Sequence, residues 1–153
     1  MEIARTLDAP GPPERLFALL DDLAEYPRWM PLVHGVEACG SGQTGSDLAW
    51  DVELRAKVGP FARSKRLRMV RTERSVPRLV VFEREELDGR EHAPWILRAT
   101  IDSGSGSDRN RLTMSLHYGG GLWTGVALQR VLDHDVERGS KNLVGLLSSE
   151  PTR

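Results

Sequence analysis

From Leu48 to Val58 apolar and polar residues alternate, with Leu48, Trp50, Val52, Leu54, Ala56 and Val58 on one face and Asp51, Glu53, Arg55 and Lys57 on the other. A period of two with one apolar face predicts a half-buried antiparallel strand. "GPF" makes a turn, and Arg63 to Glu73 runs back with Leu67 and Met69 opposite Arg66 and Arg68, ending before Pro77. "RLVVFEREE" is the next strand, in which Val80, Val81 and Phe82 leave the inward face open. Asp88-Gly89 has hairpin-turn chemistry and leads to Trp95, Leu97, Ala99 and Ile101; beyond "SGSGSDRN", Leu112, Met114, Leu116 and Tyr118 alternate with Arg111, Thr113, Ser115 and His117. Turns between successive strands predict an antiparallel meander.

The ends of the chain differ. A weak alternation through Ile3, Arg5 and Leu7 predicts a first strand, closed by the breakers of "DAPGPP". Pro12 or Pro13 then starts a short helix with Glu14 in its first turn and Leu16, Phe17, Leu19, Leu20 and Leu23 as its apolar face. After Gly119 to Gly121 the period becomes helical to about Leu147. Leu128, Leu132, Val136, Gly139, Leu143 and Leu146 fall in one stripe, with Gln129 flanking it and Arg130, Glu137, Arg138 and Lys141 off it. Gly139 costs a helix about 1 kcal/mol relative to alanine. Its place in the apolar stripe predicts either close helix-to-sheet packing or room for a ligand.

Between the first helix and the second strand lies "DDLAEYPRWMPLVHGVEACG", a connection carrying Tyr26, Trp29 and Met30. Connecting loops are normally short and polar, so these side chains predict a segment that covers something. The "GSGQTGSD" after it predicts a hairpin connection.

A chain of 153 residues fits one domain, taken as 1–150. The 21 Lys and Arg against 22 Asp and Glu give a net charge of -1, so there is no general field to attract nucleic acid or an anionic membrane. Arg63, Lys65, Arg66, Arg68, Arg71 and Arg74 form a basic run, but Glu83, Glu85 and Glu86 come antiparallel to it, which predicts cross-strand ion pairs rather than a nucleic-acid surface. A lone Cys39, an N-terminus without an apolar leader and the lack of a membrane-length apolar run predict a cytoplasmic protein without integral membrane association. His34, His92, His117 and His134 lack metal-ligand spacing, and the Gly/Ser stretches lack the lysine of a phosphate loop, so the expectation is no metal and no cofactor. Oligomeric state stays open, a homodimer included.

The order of strand, short helices, antiparallel meander and long final helix resembles the SRPBCC superfamily, also called START-like or polyketide cyclase-like, to which the birch pollen allergen fold belongs. The resemblance is carried by "LDAPGPPERLFALLDDLAEYPRWMPLV", "KVGPF", "VPRLVVFE" and the helix entry "HYGGGLW", with the usual "APPE" start lengthened to "APGPPE". It implies an α+β helix-grip fold: a curved antiparallel sheet of about six to seven strands wrapped around the long C-terminal helix, with two short helices after the first strand. It also implies an apolar cavity between sheet and helix. On that reading Trp50, Val52, Leu54, Met69, Phe82, Trp95, Leu97, Met114, Leu116 and Tyr118 of the strands and Leu128, Leu132 and Val136 of the helix line the cavity, with Trp29 near its mouth. Arg71, on the face of Leu67 and Met69, and Tyr118 are the polar candidates for orienting a ligand. "KVGPF" and the glycine-rich helix entry look more like the carbon monoxide dehydrogenase G-type subfamily than like the aromatase/cyclases, which favours binding or transport of a small hydrophobic molecule such as a polyketide, lipid or isoprenoid. The alternatives are a polyketide aromatase/cyclase or dehydratase using the same cavity, and an interaction subunit with a filled core.

Overall fold

The structure is a computed structural model that describes residues 2–41, 48–104, 108–119 and 126–149. In chain order it contains β1 (Glu2–Pro10), α1 (Pro13–Leu20), a short 3₁₀ helix (Leu23–Arg28), β2 (Val33–Ser41), β3 (Leu48–Val58), β4 (Phe61–Ser75), β5 (Leu79–Arg84), β6 (Trp95–Ser103), β7 (Arg109–Tyr118) and α2 (Val126–Ser149). The seven strands form one antiparallel sheet in the order β1-β7-β6-β5-β4-β3-β2. The strands after β1 are a meander, and β1 returns to pair with the last of them. Helix α2 touches β1 at one margin and β3 near the other, so the sheet curls around it. This is the helix-grip α+β fold. Most of the hairpin connection expected in "GSGQTGSD", and part of the link "SGSGSDRN", lie outside the described residues.

Two strand ends differ from expectation. β1 runs through Asp8 and Ala9 to Pro10, which stands opposite Arg109, because an edge strand has one unpaired side on which a proline needs no amide donor. β4 begins at Phe61, two residues early: Gly59 adopts φ +61° and lets the chain reverse at once, so Val58 stands opposite Phe61. β5 resolves its open register by placing Val80 and Phe82 in the core cluster, while Val81 is buried outside it.

The cross-strand ion pairs expected between the basic run and the glutamates are largely absent among the described residues. A register shift between Arg71 and Glu73 breaks the β4–β5 ladder there. Glu83 accepts from the Thr72 hydroxyl at 2.6 Å, and Glu86 pairs with Arg84 on its own segment at 2.7 Å. The Arg68 guanidinium donates to the Glu85 carbonyl at 2.8 Å. Arg71 and Arg74 instead converge on Asp21, the residue that ends α1, at 2.9 Å each. Arg71 also donates to the Asp21 carbonyl at 3.2 Å, and Arg74 engages both carboxylate oxygens. This clamp fixes the end of α1 against β4 from a site where Asp21 is 15% and Arg71 18% exposed.

Asp21→Asn keeps the shape but removes the charge that two guanidiniums share, so it should cost about 2 kcal/mol, in the range for hydrogen bonds to charged groups. Urea unfolding should show a lower midpoint at unchanged slope. An unchanged midpoint would mean that the clamp adds nothing to the folded state.

Candidate functional site: an apolar cavity under the aromatic segment

Helix α1 ends with carbonyl groups that have no partner within the helix. The aromatic segment supplies two of those partners. Tyr26 donates its hydroxyl to the Leu20 carbonyl at 3.0 Å, and Trp29 donates Nε1 to the Leu19 carbonyl at 3.2 Å. Each ring is thereby buried with its polar atom satisfied, at 2% and 1% exposure. The rings pack at a tilt of 42° with centroids 4.7 Å apart, and Tyr26 meets Phe82 of the sheet edge-on at 6.3 Å. Asp22 starts the 3₁₀ helix by accepting from the Ala24 amide at 2.9 Å.

The exit of this segment rests on α2. Asn142 donates to the Trp29 carbonyl at 3.1 Å, and Met30 packs on Gly139. A Cβ at position 139 would lie 2.9 Å from the Met30 methyl, 3.0 Å from its sulfur and 3.3 Å from the Trp29 carbonyl oxygen. The glycine therefore makes room for the thioether and for a close backbone approach. Of the two expectations at Gly139, close packing holds, but its partner is the aromatic segment rather than the sheet.

Beneath this cover, between the sheet and α2, lies a cavity of about 100 Å³. Its walls follow the register of the sheet. Ile3, Leu116 and Leu97 form one cross-strand row, Arg5 and Met114 the next, and Val52 stands opposite Leu67. Leu54, Met69 and Trp95 complete the strand side, Val136 supplies the helix side, and Leu23, Tyr26, Met30, Leu32 and Val33 form the cover. The lining is almost wholly apolar. Arg5, Ser115 and Tyr26 are its polar lining residues, and Arg5 is drawn to its rim by Asp133 of α2 at 3.2 Å.

Of the residues expected at a cavity, Val52, Leu54, Met69, Trp95, Leu97, Met114, Leu116 and Val136 come together here. The others stand elsewhere. Trp50 and Phe82 pack edge-on against each other at 5.5 Å within the core, and Leu132 is fully buried in it. Trp29 is engaged in capping α1. Tyr118 is buried against Trp95 with ring centroids 5.1 Å apart, and Arg71 is held by Asp21 outside the lining. The side chain of Leu128 lies outside the described residues. Ile3 and Leu67 were legible as inward positions of their strands, whereas Leu23, Leu32 and Val33 reach the cavity only because the 3₁₀ segment folds back over it.

Burial pushes the Tyr26 hydroxyl far above its ordinary pKa, and the negative charge of Asp21 adds to the shift. Burial and then Asp133 raise Tyr118 as well. Both phenols therefore stay neutral at physiological pH, as hydrogen-bonding groups rather than proton carriers.

Residues 1–147 match the protein family described as "Polyketide cyclase / dehydrase and lipid transport". No functionally curated protein matches the chain. Among solved structures, a START superfamily protein from Mycobacterium smegmatis superposes with a TM-score of 0.72 at 15% identity, covering 96% of this chain and 97% of that one. A protein from Thermus thermophilus gives 0.71 at 19% identity, with 98% and 100% covered. The Zhui aromatase/cyclase from a Streptomyces species gives 0.64 at 15% identity, with 97% and 93% covered. At these identities the likeness to solved structures shows the fold.

The contact between Met30 and Gly139 can be read by a double-mutant cycle. Gly139→Ala should lower stability by about 1 kcal/mol despite the higher helix propensity of alanine, because the thioether must leave its seat. With Met30→Ala in place, the same change should become neutral or stabilising by up to about 1 kcal/mol, as propensity alone would give. Equal effects in the two backgrounds would show that the glycine serves some other contact.

Proposed function

The chain belongs to the polyketide cyclase/dehydrase and lipid transport family, and from that premise we propose that it binds or transports a small hydrophobic molecule in the cavity between the sheet and α2. The observation that carries this reading is the lining itself: an apolar space held open inside a folded core, with Met30, Met69 and Met114 on three of its walls. Protein interiors are close-packed, so an empty apolar space forfeits dispersion contacts that side chains of better fit would have supplied. A ligand restores them.

Size restricts what can enter. The cavity of about 100 Å³ is smaller than the roughly 150 Å³ space known to take benzene, so its resting form suits a short hydrocarbon segment. Methionine has three rotatable bonds and tolerates several packings, so the three thioethers are the walls that yield to a larger polyketide, lipid or isoprenoid. Binding is favoured over turnover by the chemistry of the lining. Proton transfer needs a positioned acid or base, and the phenol nearest the cavity, Tyr26, already donates its proton to the Leu20 carbonyl.

Methyl resonances of the methionines provide the test. Titration with fatty acids, isoprenoid quinones and aromatic polyketides should shift the methyls of Met30, Met69 and Met114 together for the ligand class that binds. Val136→Phe, which places a ring in the same space, should abolish those shifts while the protein stays folded. Absence of any shift across all the ligand classes, or shifts that persist in Val136→Phe, would remove the cavity reading and leave an interaction domain with a filled core.

A further inference from the structure

On the far side of the cavity wall lies a second concavity, an open groove of about 520 Å³ between the β2–β3 margin and α2. Its charged lining consists of Arg55 and Lys57 from β3, Arg130 and Arg138 from α2, and one carboxylate, Asp135; His34 and His134 complete its polar wall. Four cations against one carboxylate are a strong local excess in a chain whose net charge is -1. They come from segments more than seventy residues apart, so the fold, not a run of sequence, gathers them.

Elsewhere on α2 the chain balances its charges, with Asp133 holding Arg5 and Glu137 facing Lys141. Among the described residues, no side chain of Arg55, Lys57, Arg130 or Arg138 makes an ion pair. Arg130, His134 and Arg138 follow one another at intervals of four, which puts them in one row along the helix. Burial pushes the Asp135 carboxyl above its usual range, and Arg138 and His134 pull it partly back. A cleft lined by one sign of charge concentrates ions of the other.

Groove and cavity share a seam. On three elements a residue lining the cavity is followed or preceded directly by one lining the groove: Val33 and His34, Leu54 and Arg55, Val136 and Asp135. Successive strand residues point to opposite faces, and successive helix residues about 100° apart, so the two linings adjoin at these positions. The two spaces thus meet along α2, one apolar and one cationic.

We propose that the groove holds the phosphate or diphosphate head of an amphiphilic ligand whose hydrocarbon part occupies the cavity. A carboxylate head would neutralise only one of the groove's positive charges, whereas a phosphate carries roughly two negative charges at neutral pH and offers three acceptor oxygens. Arginine, which supplies three of the four cations, binds such oxygens in pairs. This inference rests on the cavity reading above and narrows its ligand to a phosphorylated hydrocarbon.

Calorimetry with hexanol, hexyl phosphate and inorganic pyrophosphate, with the methionine methyls as the reporter of cavity occupancy, tests the two readings separately. Hexyl phosphate should bind at least about ten-fold more tightly than hexanol, and should shift the methyls of Met30, Met69 and Met114. Arg55→Ala combined with Arg138→Ala should remove that advantage while leaving hexanol binding unchanged, and Arg90→Ala, which removes one positive charge from an exposed loop, should leave both intact. If hexanol shifts the methyls and hexyl phosphate binds no better, the cavity reading stands and the groove inference is overturned. If pyrophosphate binds through Arg55 and Arg138 while neither hexanol nor hexyl phosphate shifts the methyls, the cavity reading fails and the joined ligand fails with it. Arginine-dependent pelleting with phosphatidic acid vesicles, without methyl shifts from hexyl phosphate, would likewise overturn the proposal by assigning the groove to a bilayer headgroup.

Discussion

The seat of Met30 and the Trp29 carbonyl on Gly139 is the constraint on which the site depends. Without a side chain at that point of α2, the exit of the aromatic segment comes within van der Waals distance of the helix, and Asn142 fixes it there through the Trp29 carbonyl. From this one contact the 3₁₀ helix is carried over the end of the sheet. Tyr26 and Trp29 then lie where they can satisfy the last carbonyls of α1, and Leu23, Leu32 and Val33 are turned inward as a cover. The glycine gives up helix propensity of about 1 kcal/mol for this approach. As a result the helix, the aromatic segment and the sheet share a single interior.

That interior is filled unevenly. Around Trp50, Phe82 and Leu132 the rows of the sheet meet the helix and the aromatic segment in full contact. Nearer the 3₁₀ cover the cavity remains between the sheet and α2. The space left over is where three methionines stand. Side chains of fixed shape would either fill such a space or leave it rigidly empty, whereas thioethers let its volume change at small cost.

The same geometry sets two kinds of chemistry side by side. Alternation along β2 and β3 sends Val33 and Leu54 to the cavity and His34 and Arg55 to the groove, and the turn of α2 divides Val136 from Asp135 in the same way. An apolar space beside a cationic one is suited to a molecule with two unlike ends. A single polar group inside the cavity, the part that the chain's pattern suggests for Arg71 or Tyr118, would hold such a molecule only by giving up its own hydration in an apolar space. The two residues have structural roles instead, Arg71 on Asp21 and Tyr118 against Trp95.

Local pattern determined the elements of this protein. The period of two from Leu48 to Val58 and from Leu112 to Tyr118, and the helical stripe through Leu132, Val136 and Leu143, are properties of the chain that survive any packing. They made the meander, the long helix and eight of the cavity-lining residues legible. Tertiary structure decided what alternation cannot encode. A stripe says which face turns inward, but not whether the space inside is full, because that depends on how far the sheet and the helix stand apart. The clamp of Arg71 and Arg74 on Asp21, the capping of α1 by Tyr26 and Trp29, and the meeting of Arg55 and Lys57 with Arg130 and Arg138 each join residues distant in the chain. Such meetings follow from the curl of the sheet around α2, and no local period records them.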